Sequence, residues 1–307
     1  MSALEIMDNL FFIERGYLNG NHFAYRSDKP VLIDTGYRTD FHETEKFISE
    51  LGIQISDVDL IISTHCHCDH IGGNRIIQDR SGCDIALHPV GRYFVEMEDD
   101  WSTWSRYYSQ EADFFRCTRT LEEGDVATIG PHEFRIIHTP GHASDGISMY
   151  NQKEKVLFSS DALWEFDVPT LTIRIEGSTA VQSFKESLEK LAALDVEIVY
   201  PGHGKPFTDF EGALQRSRKK IREYLSDTQK IGQDLLKKIM VYTLLMKKSV
   251  PEDAFFDWLM GTYWYKETID FYFSGEHEKK YDEIMAHFLD RGVVVRKNGY
   301  LSTTVRP

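Results

Sequence analysis

Short apolar runs recur through residues 1–207, and each is bounded by Gly, Asn, Asp or Pro, as β-strands are. The runs are LFFI (10–13), HFAYR (22–26), PVLIDTG (30–36), DLIIST (59–64), DIALHP (84–89), EFRIIHTPG (133–141), GISMYNQKEKVLFSSD (146–161) and VEIVYPGHG (196–204). Between the third and fourth runs, FHETEKFISELGI has apolar residues at helical spacing. A second helix is predicted over 178–194, with Ser178 as its N-cap. Because strands and helices interleave, the pattern predicts an α/β sandwich.

The pattern changes after Pro206, where helical spacing replaces the strand runs. We expect one or two helices over 210–247 and another that begins with PEDAFFDWLM, with proline in its first turn. The chain then shows a helix that ends at Gly292, a β run, an Asn-Gly turn and a second β run. A helix followed by a short hairpin is the outline of a winged-helix unit. The sequence therefore predicts two domains, at 1–207 and 208–307.

The charge of the chain is uneven, and this narrows the range of partners. The formal net charge is −14, yet residues 208–307 hold 17 Lys and Arg against 15 Asp and Glu. The acidic excess thus falls on the N-terminal part, which argues against broad attraction to nucleic acid. A basic cluster in the C-terminal part, RSRKKIR (216–222), is interpreted as a solvated helix face.

Three features of the sequence concern the cellular location of the protein. No run of about 18 apolar residues is present, so we expect no membrane-spanning helix and no membrane partner. The first residues, MSALEIMDNLFFIERG, lack a basic stretch followed by a long apolar run, so no secretory signal is predicted. Four cysteines are too few for a disulfide scaffold in a chain of 307 residues, which predicts a reducing, cytoplasmic setting.

The segment STHCHCDHIGGN (63–74) concentrates the candidate chemistry. The preceding strand delivers it in extended form, where alternate side chains share a face, so His65, His67 and Asp69 point one way. The two cysteines between them point the other way and are interpreted as small buried residues. DHIGGN can begin a helix with Asp69 and His70 in its first turn. His65 and His67 can then hold one metal ion, while Asp69 and His70 hold another a short distance away.

Three later motifs, each at the end of a predicted strand, complete a pair of ion sites. HTPGH supplies His142, FSSD supplies Asp161 and YPGHG supplies His203. His142 completes the first ion's ligands, His203 completes the second's, and Asp161 has two oxygens with which to bridge both ions. Imidazole and carboxylate ligands suit zinc, with manganese or iron as alternatives. The predicted cofactor is therefore a pair of divalent metal ions.

These motifs resemble those of the metallo-β-lactamase superfamily over about residues 9–207. THCHCDH matches the family's His-x-His-x-Asp-His motif, the three later ligand positions follow in the family's order, and Asp34 in LIDTG matches its early aspartate. The resemblance implies a four-layer αββα sandwich with the metal ions at the strand edges, and it implies that Asp34 orients a ligand. Many members have glycine where Ser160 precedes Asp161. We expect this change to alter loop packing without loss of a ligand.

Two weaker likenesses concern the branch of the superfamily. The mostly helical, winged-helix-like C-terminal part is similar to that of β-lactamase-like members. The segment SDALWEFD (160–167) is similar to that of thioesterase-like, glyoxalase II-like members. Histidine at position 67 separates the chain from the glutamate-bearing, oxygen-reducing di-iron members.

The predicted function is a binuclear metal-dependent hydrolase that cleaves a small ester, thioester or lactone. Two divalent ions would lower the pKa of a shared water to about 7 and supply a metal-bridging hydroxide as the nucleophile. Asp69 is the candidate to orient that hydroxide or pass on its proton, and with Asp34 it forms the pair of candidate catalytic residues. No Gly-x-Ser-x-Gly motif suggests a protein nucleophile. The expected partner is a small molecule, not nucleic acid.

Three other functions stay open at this point. An RNA-processing nuclease could use the same ions with the C-terminal unit as a nucleic-acid grip, although no long basic stripe supports it. A mononuclear iron sulfur dioxygenase could use His65, His67 or His142 with Asp161. A non-catalytic signalling module would keep the fold without activity.

Two aromatic segments and two further histidines complete the candidates. The segment 93–117 could be a lid over the pocket or packing against the sandwich. The segment 262–273 could pack the C-terminal part, line the pocket or form a homodimer contact. His138, four residues before His142, is predicted to have a core or orienting role, and His88 has no assigned role.

Overall fold

The computed structural model of the chain describes residues 3–16 and 18–306 and confirms the α/β sandwich. Sheet 1 holds seven strands in chain order: β1 (Leu4–Met7), β2 (Leu10–Ile13), β3 (His22–Tyr25), β4 (Val31–Ile33), β5 (Leu60–Ile62), β6 (Asp84–Leu87) and β7 (Arg119–Thr120). Neighbours are antiparallel from β1 to β4 and parallel from β4 to β7. The carboxyl ends of β4 and β5 therefore lie at one edge of the sheet.

Sheet 2 holds five strands: β8 (Val126–Ile129), β9 (His132–His138), β10 (Ile147–Asn151), β11 (Val156–Ser160) and β12 (Ile198–Pro201). Their order is β12-β11-β10-β9-β8. Neighbours are antiparallel except β11 and β12, which are parallel. Strands β9, β11 and β12 therefore run in the same direction, and their carboxyl ends share one edge.

The two sheets stack on a continuous apolar layer. In β9, Phe134 and Ile136 pack toward sheet 1, whereas Ile137 belongs to the apolar cluster on the other face of sheet 2. This division follows from the two-residue period of a strand, which sends successive side chains to opposite faces. Phe23 of sheet 1 stacks on Phe158 of sheet 2 with ring centroids 3.9 Å apart.

Helices cover the outer face of each sheet, which gives the four layers implied by the resemblance. The helices of the N-terminal part are α1 (Phe41–Glu50), α2 (Cys68–Ile71), α3 (Asn74–Ser81), α4 (Pro89–Glu96), α5 (Ile173–Glu176) and α6 (Ala180–Ala192), with 3-10 turns at Arg38–Asp40 and Ile55–Asp57. Phe41 of α1, Ile77 of α3 and Val95 of α4 pack on sheet 1. Phe184 and Leu188 of α6 pack on sheet 2.

Helix α6 begins later than its sequence pattern predicts. Thr179 precedes it and makes no side-chain capping bond, so the prediction of Ser178 as the N-cap is wrong. Gly177 has a φ of 87°, so the chain is still turning just before the helix begins.

The C-terminal part is mostly helical and ends in a hairpin, which confirms the winged-helix-like outline. Its elements are α7 (Phe210–Ser226), α8 (Gln229–Lys247), β13 (Val250–Pro251), α9 (Glu252–Met260), α10 (Tyr263–Phe273), α11 (His277–Asp290), β14 (Val294–Lys297) and β15 (Tyr300–Thr303). Strands β13, β15 and β14 form a small antiparallel sheet in that order. The Asn-Gly pair predicted as a turn joins β14 to β15.

The C-terminal part packs directly on the sandwich. One apolar cluster contains Phe184 of α6, Leu236 and Met240 of α8, and Trp264 of α10. Trp264 and its neighbour Tyr265 are fully buried, so this portion of the aromatic segment 262–273 packs the C-terminal part, whereas Phe271 is 71% exposed. A homodimer contact by the segment stays a prediction. The domain boundary between residues 207 and 208 stays a prediction.

Two findings complete the description of the fold. All four cysteines are free and buried. Over residues 3–16 and 18–306, no helix has both the length and the apolar character that crossing a bilayer requires.

Candidate metal centre

Loops at strand ends bring the seven predicted ligands to one edge of the sandwich. The segment 65–70 follows β5, His142 follows β9, Asp161 follows β11 and His203 follows β12. All are buried except His203, which is nearly so. Loops that follow rigid strands place functional side chains accurately.

The first group of donors consists of three imidazoles. The nitrogen atoms of His65, His67 and His142 lie within 4.8 Å of one another. Nδ1 of His67 is 3.0 Å from Nε2 of His142, and the rings of His65 and His67 meet nearly at right angles. Three converging imidazole nitrogens form a donor set that suits one zinc-type ion.

The second group combines a carboxylate with imidazoles. Donor atoms of Asp69, His70 and His203 lie within 4.8 Å of one another. Oδ2 of Asp69 is 3.2 Å from Nε2 of His203 and 3.9 Å from Nε2 of His70. Oδ2 of Asp161 is 3.6 Å from Nε2 of both histidines and 3.2 Å from Nε2 of His142. The Asp161 oxygen therefore stands between the two groups.

The outward nitrogens of two histidines have hydrogen-bond acceptors. His70 donates from Nδ1 to Oδ2 of Asp34 at 2.8 Å, and His142 donates from Nδ1 to the Thr170 carbonyl at 2.7 Å. Such bonds select the tautomer whose other nitrogen is free to bind a metal ion. Asp34 thus contacts Nδ1 of the His70 imidazole and does not line the cavity beside the centre.

Ser160, which precedes Asp161, has an uncommon backbone conformation. Its φ is 48°, in the left-handed region that favours glycine. Its hydroxyl donates to Oγ1 of Thr64 at 2.7 Å, and that oxygen lies 3.1 Å from Nδ1 of His65. The serine keeps the glycine-like turn and adds a hydrogen bond behind a candidate ligand, while Asp161 remains in the centre.

The electrostatics of the centre leave lone pairs available on His65, His67 and Asp69. Burial, reinforced by neighbouring imidazoles, lowers the pKa of His65 and His67 well below the ordinary value, so both rings are neutral. For Asp69 burial acts in the opposite direction, but His70 and His203 outweigh it and hold the pKa at about 2. The carboxylate is therefore ionised.

Unpaired buried atoms show that the residues fit a metal centre. Nε2 of His65, Nε2 of His70 and Oδ1 of Asp69 have no hydrogen-bond partner among the described residues. Leaving a buried polar group unpaired costs about 1–3 kcal/mol. Imidazole and carboxylate donors gathered in this way suit divalent ions such as zinc.

Two glycines allow loops to press against the candidate ligands. A Cβ at Gly202 would lie 2.1 Å from Oδ1 of Asp161, and one at Gly20 would lie 2.5 Å from the His70 ring. The backbone N–H of Asn21 donates to the Gly202 carbonyl at 2.6 Å, which ties the two loops together. Only glycine fits at these close approaches.

The cysteines and the remaining histidines belong to none of the donor groups found among residues 3–16 and 18–306. Cys66 and Cys68 are buried, as predicted. His138 has Nε2 3.0 Å from the Ser144 carbonyl oxygen, and its ring stacks on His88 with centroids 3.9 Å apart. These contacts give His88 a packing role, and the core or orienting role of His138 stays a prediction.

Sequence reasoning missed Glu176, which lies on the one-turn helix α5. Its side chain is 3% exposed, and Oε1 is 3.6 Å from Nε2 of His67. It accepts a hydrogen bond from the backbone N–H of Ser144 at 2.6 Å, and burial raises its pKa to about 8. No sequence motif identifies this glutamate, because only folding of the chain brings it close to His67.

The aromatic segment 93–117 both packs against the sandwich and borders the centre. Beyond α4 it follows an irregular course of turns, with Tyr107 and Tyr108 fully buried. Trp104 stacks on His67 with ring centroids 3.8 Å apart. Its φ of 67° is uncommon for a bulky residue. Trp104 therefore borders one side of the centre, which agrees with the interpretation of the segment as a lid. The buried tyrosines agree with the interpretation that the segment packs against the sandwich.

Helix α8 borders the open side of the centre. The Tyr242 hydroxyl donates to Oδ2 of Asp69 at 3.3 Å. Between α8 and the strand ends lies a cavity of about 370 Å³. Its floor includes Asp69, Asp161 and His203, and Lys237 is on its wall. Apolar side chains form much of that wall: Trp104, Trp164, Ile239, Val241, Leu245, Phe288 and Val305.

Comparisons with known proteins agree with this fold and site. The family described as the metallo-beta-lactamase superfamily matches residues 17–203, and the chain belongs to that superfamily. A metallo-beta-lactamase family protein from Thermus thermophilus shares the fold with a TM-score of 0.61 and 22% identity, over 97% of this chain and 100% of that one. A metallo-beta-lactamase from Cronobacter sakazakii gives a TM-score of 0.60 at 17% identity, over 74% of this chain and 97% of that one.

Relatives by sequence include metal-dependent hydrolases. A probable metallo-hydrolase of Bacillus subtilis is 21% identical over 239 residues, which cover 68% of this chain and 74% of the relative. A beta-lactamase-like protein 2 homolog of Caenorhabditis elegans is 24% identical over 75% of this chain and 68% of its own length. A hydroxyacylglutathione hydrolase of Brucella ovis is 32% identical over 48% of each chain, so that match spans about half of the relative. The chain is therefore a member of a superfamily of metal-dependent hydrolases.

Proposed function

We propose that the chain is a binuclear metal-dependent hydrolase that cleaves a small ester, thioester or lactone. The observation that carries the proposal is the convergence of seven donor side chains into two adjacent groups, with Oδ2 of Asp161 between them. Membership of the superfamily supports hydrolysis, and the hydroxyacylglutathione hydrolase among the relatives supports an acyl substrate.

Each donor group would hold one ion. Three imidazoles would hold the first ion, and a carboxylate with two imidazoles would hold the second, while Asp161 would be available to both. In that order, the proposed ligands are His65, His67 and His142, then Asp69, His70 and His203. We propose zinc, which favours such donors, with manganese or iron as alternatives. Ions held in this way supply a nucleophilic water at neutral pH and polarise the scissile carbonyl.

The chain's own residues hold and orient the reactants. The ionised Asp69 has a buried Oδ1 without a partner among the described residues, which can accept a hydrogen bond from the attacking water. Asp34 fixes the orientation of His70 through its bond to Nδ1. Trp104 and the apolar wall of the cavity limit the access of bulk water.

The cavity supports a small substrate with an apolar group and a negative charge. Its volume of about 370 Å³ lies within the range of small-molecule sites. Lys237 lines it and makes no ion pair with any residue that the structure describes. A carboxylate or phosphate on the substrate would complement this ammonium group.

The test combines metal analysis with a panel of thioester, lactone and phosphodiester substrates. We expect about two ions per chain and turnover of a thioester, ester or lactone. His65→Ala and Asp161→Ala should lose bound metal and at least about a hundredfold in kcat/KM, because each removes a donor to the ions that activate the water. The exposed His42→Ala and Asp79→Asn are matched controls and should change neither quantity.

Other outcomes would replace the proposal with one of the alternatives. Turnover of phosphodiesters alone would make the chain a nuclease, and one iron per chain with oxygen consumption would make it a dioxygenase. Full activity in His65→Ala and Asp161→Ala would refute the metal centre. A fully metal-loaded protein without turnover of any substrate would favour the non-catalytic module. The cytoplasmic location and the homodimer stay predictions, which cell fractionation and light scattering check.

A further inference from the structure

Tyr242 brings a hydroxyl from the C-terminal part to the candidate metal centre. It lies on α8, and its hydroxyl donates to Oδ2 of Asp69 at 3.3 Å. The same oxygen is 3.2 Å from Nε2 of His203. The hydroxyl therefore reaches an atom of the second donor group.

Tyr242 also lines the space where a substrate would bind. Tyr242 lines the cavity of about 370 Å³ together with Asp69, Asp161 and His203. A carbonyl group that reacts at the floor of this cavity would come within reach of the phenolic hydroxyl.

The helix that carries Tyr242 is held firmly over the centre. One turn earlier on α8, Lys238 donates from Nζ to the Val168 carbonyl at 2.5 Å and pairs with Asp167 at 3.1 Å. Two residues beyond Val168, the Thr170 carbonyl accepts the Nδ1 hydrogen of the candidate ligand His142. One loop thus fixes both the helix and an imidazole, which is the preorganisation that a catalytic donor needs.

We propose that Tyr242 is a catalytic residue of the hydrolase. Its hydroxyl, bonded to Asp69 in the free protein, donates to the substrate's carbonyl oxygen as negative charge develops there. The phenol keeps its proton and forms no covalent bond. The inference rests on the proposed function and adds to it a donor from outside the superfamily's matched region, residues 17–203.

The test compares two tyrosine variants of the full-length, metal-loaded protein. Tyr242→Phe removes the hydroxyl and keeps the ring that packs α8. Tyr265→Phe is the matched control, because its hydroxyl donates to the His277 carbonyl within the C-terminal part and does not line the cavity. For each we would measure kcat, KM, metal content, zinc affinity by chelator competition, and the affinity for a phosphonate analogue of the tetrahedral state.

We expect Tyr242→Phe to lower kcat by about 10²-fold, as removal of one oxyanion donor does, with little change in KM. Affinity for the phosphonate should fall by a similar factor, while metal content and zinc affinity stay at the wild-type level. Tyr265→Phe should match the wild type in every measurement.

Two results would overturn the inference. Unchanged kcat in Tyr242→Phe would show that the hydroxyl does not act on the substrate. Weakened zinc binding, with kcat restored by excess metal, would show that it only steadies Asp69. If the metal-loaded wild type itself cleaves no substrate, the proposed function is wrong, and the inference about Tyr242 is wrong with it. This outcome is seen in the wild type, so it can be told apart from the two results above, which are seen only in the variant.

Discussion

Asp34 accepts a hydrogen bond from the imidazole of His70. Oδ2 of the aspartate and Nδ1 of the histidine are 2.8 Å apart, and both side chains are buried. The same carboxylate accepts hydrogen bonds from the backbone N–H and the hydroxyl of Thr64, at 2.8 and 2.7 Å. Asp34 thus links Thr64, near the start of the segment 63–74, to the candidate ligand His70. We therefore propose that Asp34 positions His70 and does not touch the substrate.

We expect Asp34→Asn to weaken metal affinity by about 10–100-fold, since outer partners of this kind orient a ligand and raise its basicity. Chelator competition measures the effect. Asp79→Asn is the matched control, because that carboxylate is exposed and pairs only with Arg75 among the described residues. Equal metal affinity in Asp34→Asn and the wild type would show that Asp34 does not position His70.

Gly202→Ala should disrupt the centre without replacing any candidate ligand. The added methyl would lie 2.1 Å from Oδ1 of Asp161, so the carboxylate or the loop must move. We expect loss of at least one ion per chain and destabilisation by about 1–3 kcal/mol, as overpacking typically gives. Metal analysis and urea unfolding measure both, with Gly261→Ala as control, because its methyl would meet only the backbone at 3.2 Å or more. A fully loaded Gly202→Ala protein would contradict this account.

Lys237→Met should reveal whether the cavity prefers anionic substrates. The substitution keeps an unbranched side chain and removes the charge, so KM should rise about tenfold for a substrate with a carboxylate or phosphate, which corresponds to about 1.4 kcal/mol. KM for a neutral analogue of the same size should stay unchanged. Added salt should shrink the difference in the wild type by screening. Lys230→Met, a change on the same helix outside the cavity, serves as control.

Asp145 should make stability depend on pH. It is buried, its Oδ2 has no hydrogen-bond partner among the described residues, and burial raises its pKa to about 6. The folded state therefore binds a proton that the unfolded chain releases above a pKa of about 4. The stability from this proton is fully present below pH 4 and is lost as pH rises through 6. The total loss is about 3 kcal/mol.

The measurement for Asp145 is urea unfolding of the metal-free protein across pH 4 to 8. The amide side chain of the Asp145→Asn variant does not titrate. Between pH 4 and 8 the free energy of unfolding of the variant should therefore rise by about 3 kcal/mol relative to that of the wild type. A difference between the two proteins that is constant with pH would show that the carboxyl has an ordinary pKa in the fold.

Much of the fold could be predicted because its signals are local. Apolar runs bounded by turn residues mark the strands of both sheets, and the alternation in β9 already divides Phe134 and Ile136 from Ile137. The candidate ligands follow strand ends, and parallel strands place those ends at one edge. Errors arose at element ends, as with Ser178, because capping depends on the local path of the chain.

The residues that surround the candidate metal centre could be identified only from the tertiary structure. Glu176 lies on one turn of helix behind His67, and Tyr242 reaches Asp69 across 173 positions of sequence. Neither carries a motif, since each acts through a contact that exists only when separate layers pack. Trp104 likewise meets His67 because an irregular segment folds back over the strand ends.

The sequence by itself determined the strands, the spacing of the seven donors and the superfamily they match, because local patterning decides which face of an element is buried and where it ends. Only the tertiary structure decided that α8 walls the cavity, with Tyr242 and Lys237 on its surface. That placement depends on packing between distant parts of the chain, which bring Phe184 and Leu236 into one apolar cluster. Local patterns of apolar residues do not specify which of many apolar faces will meet.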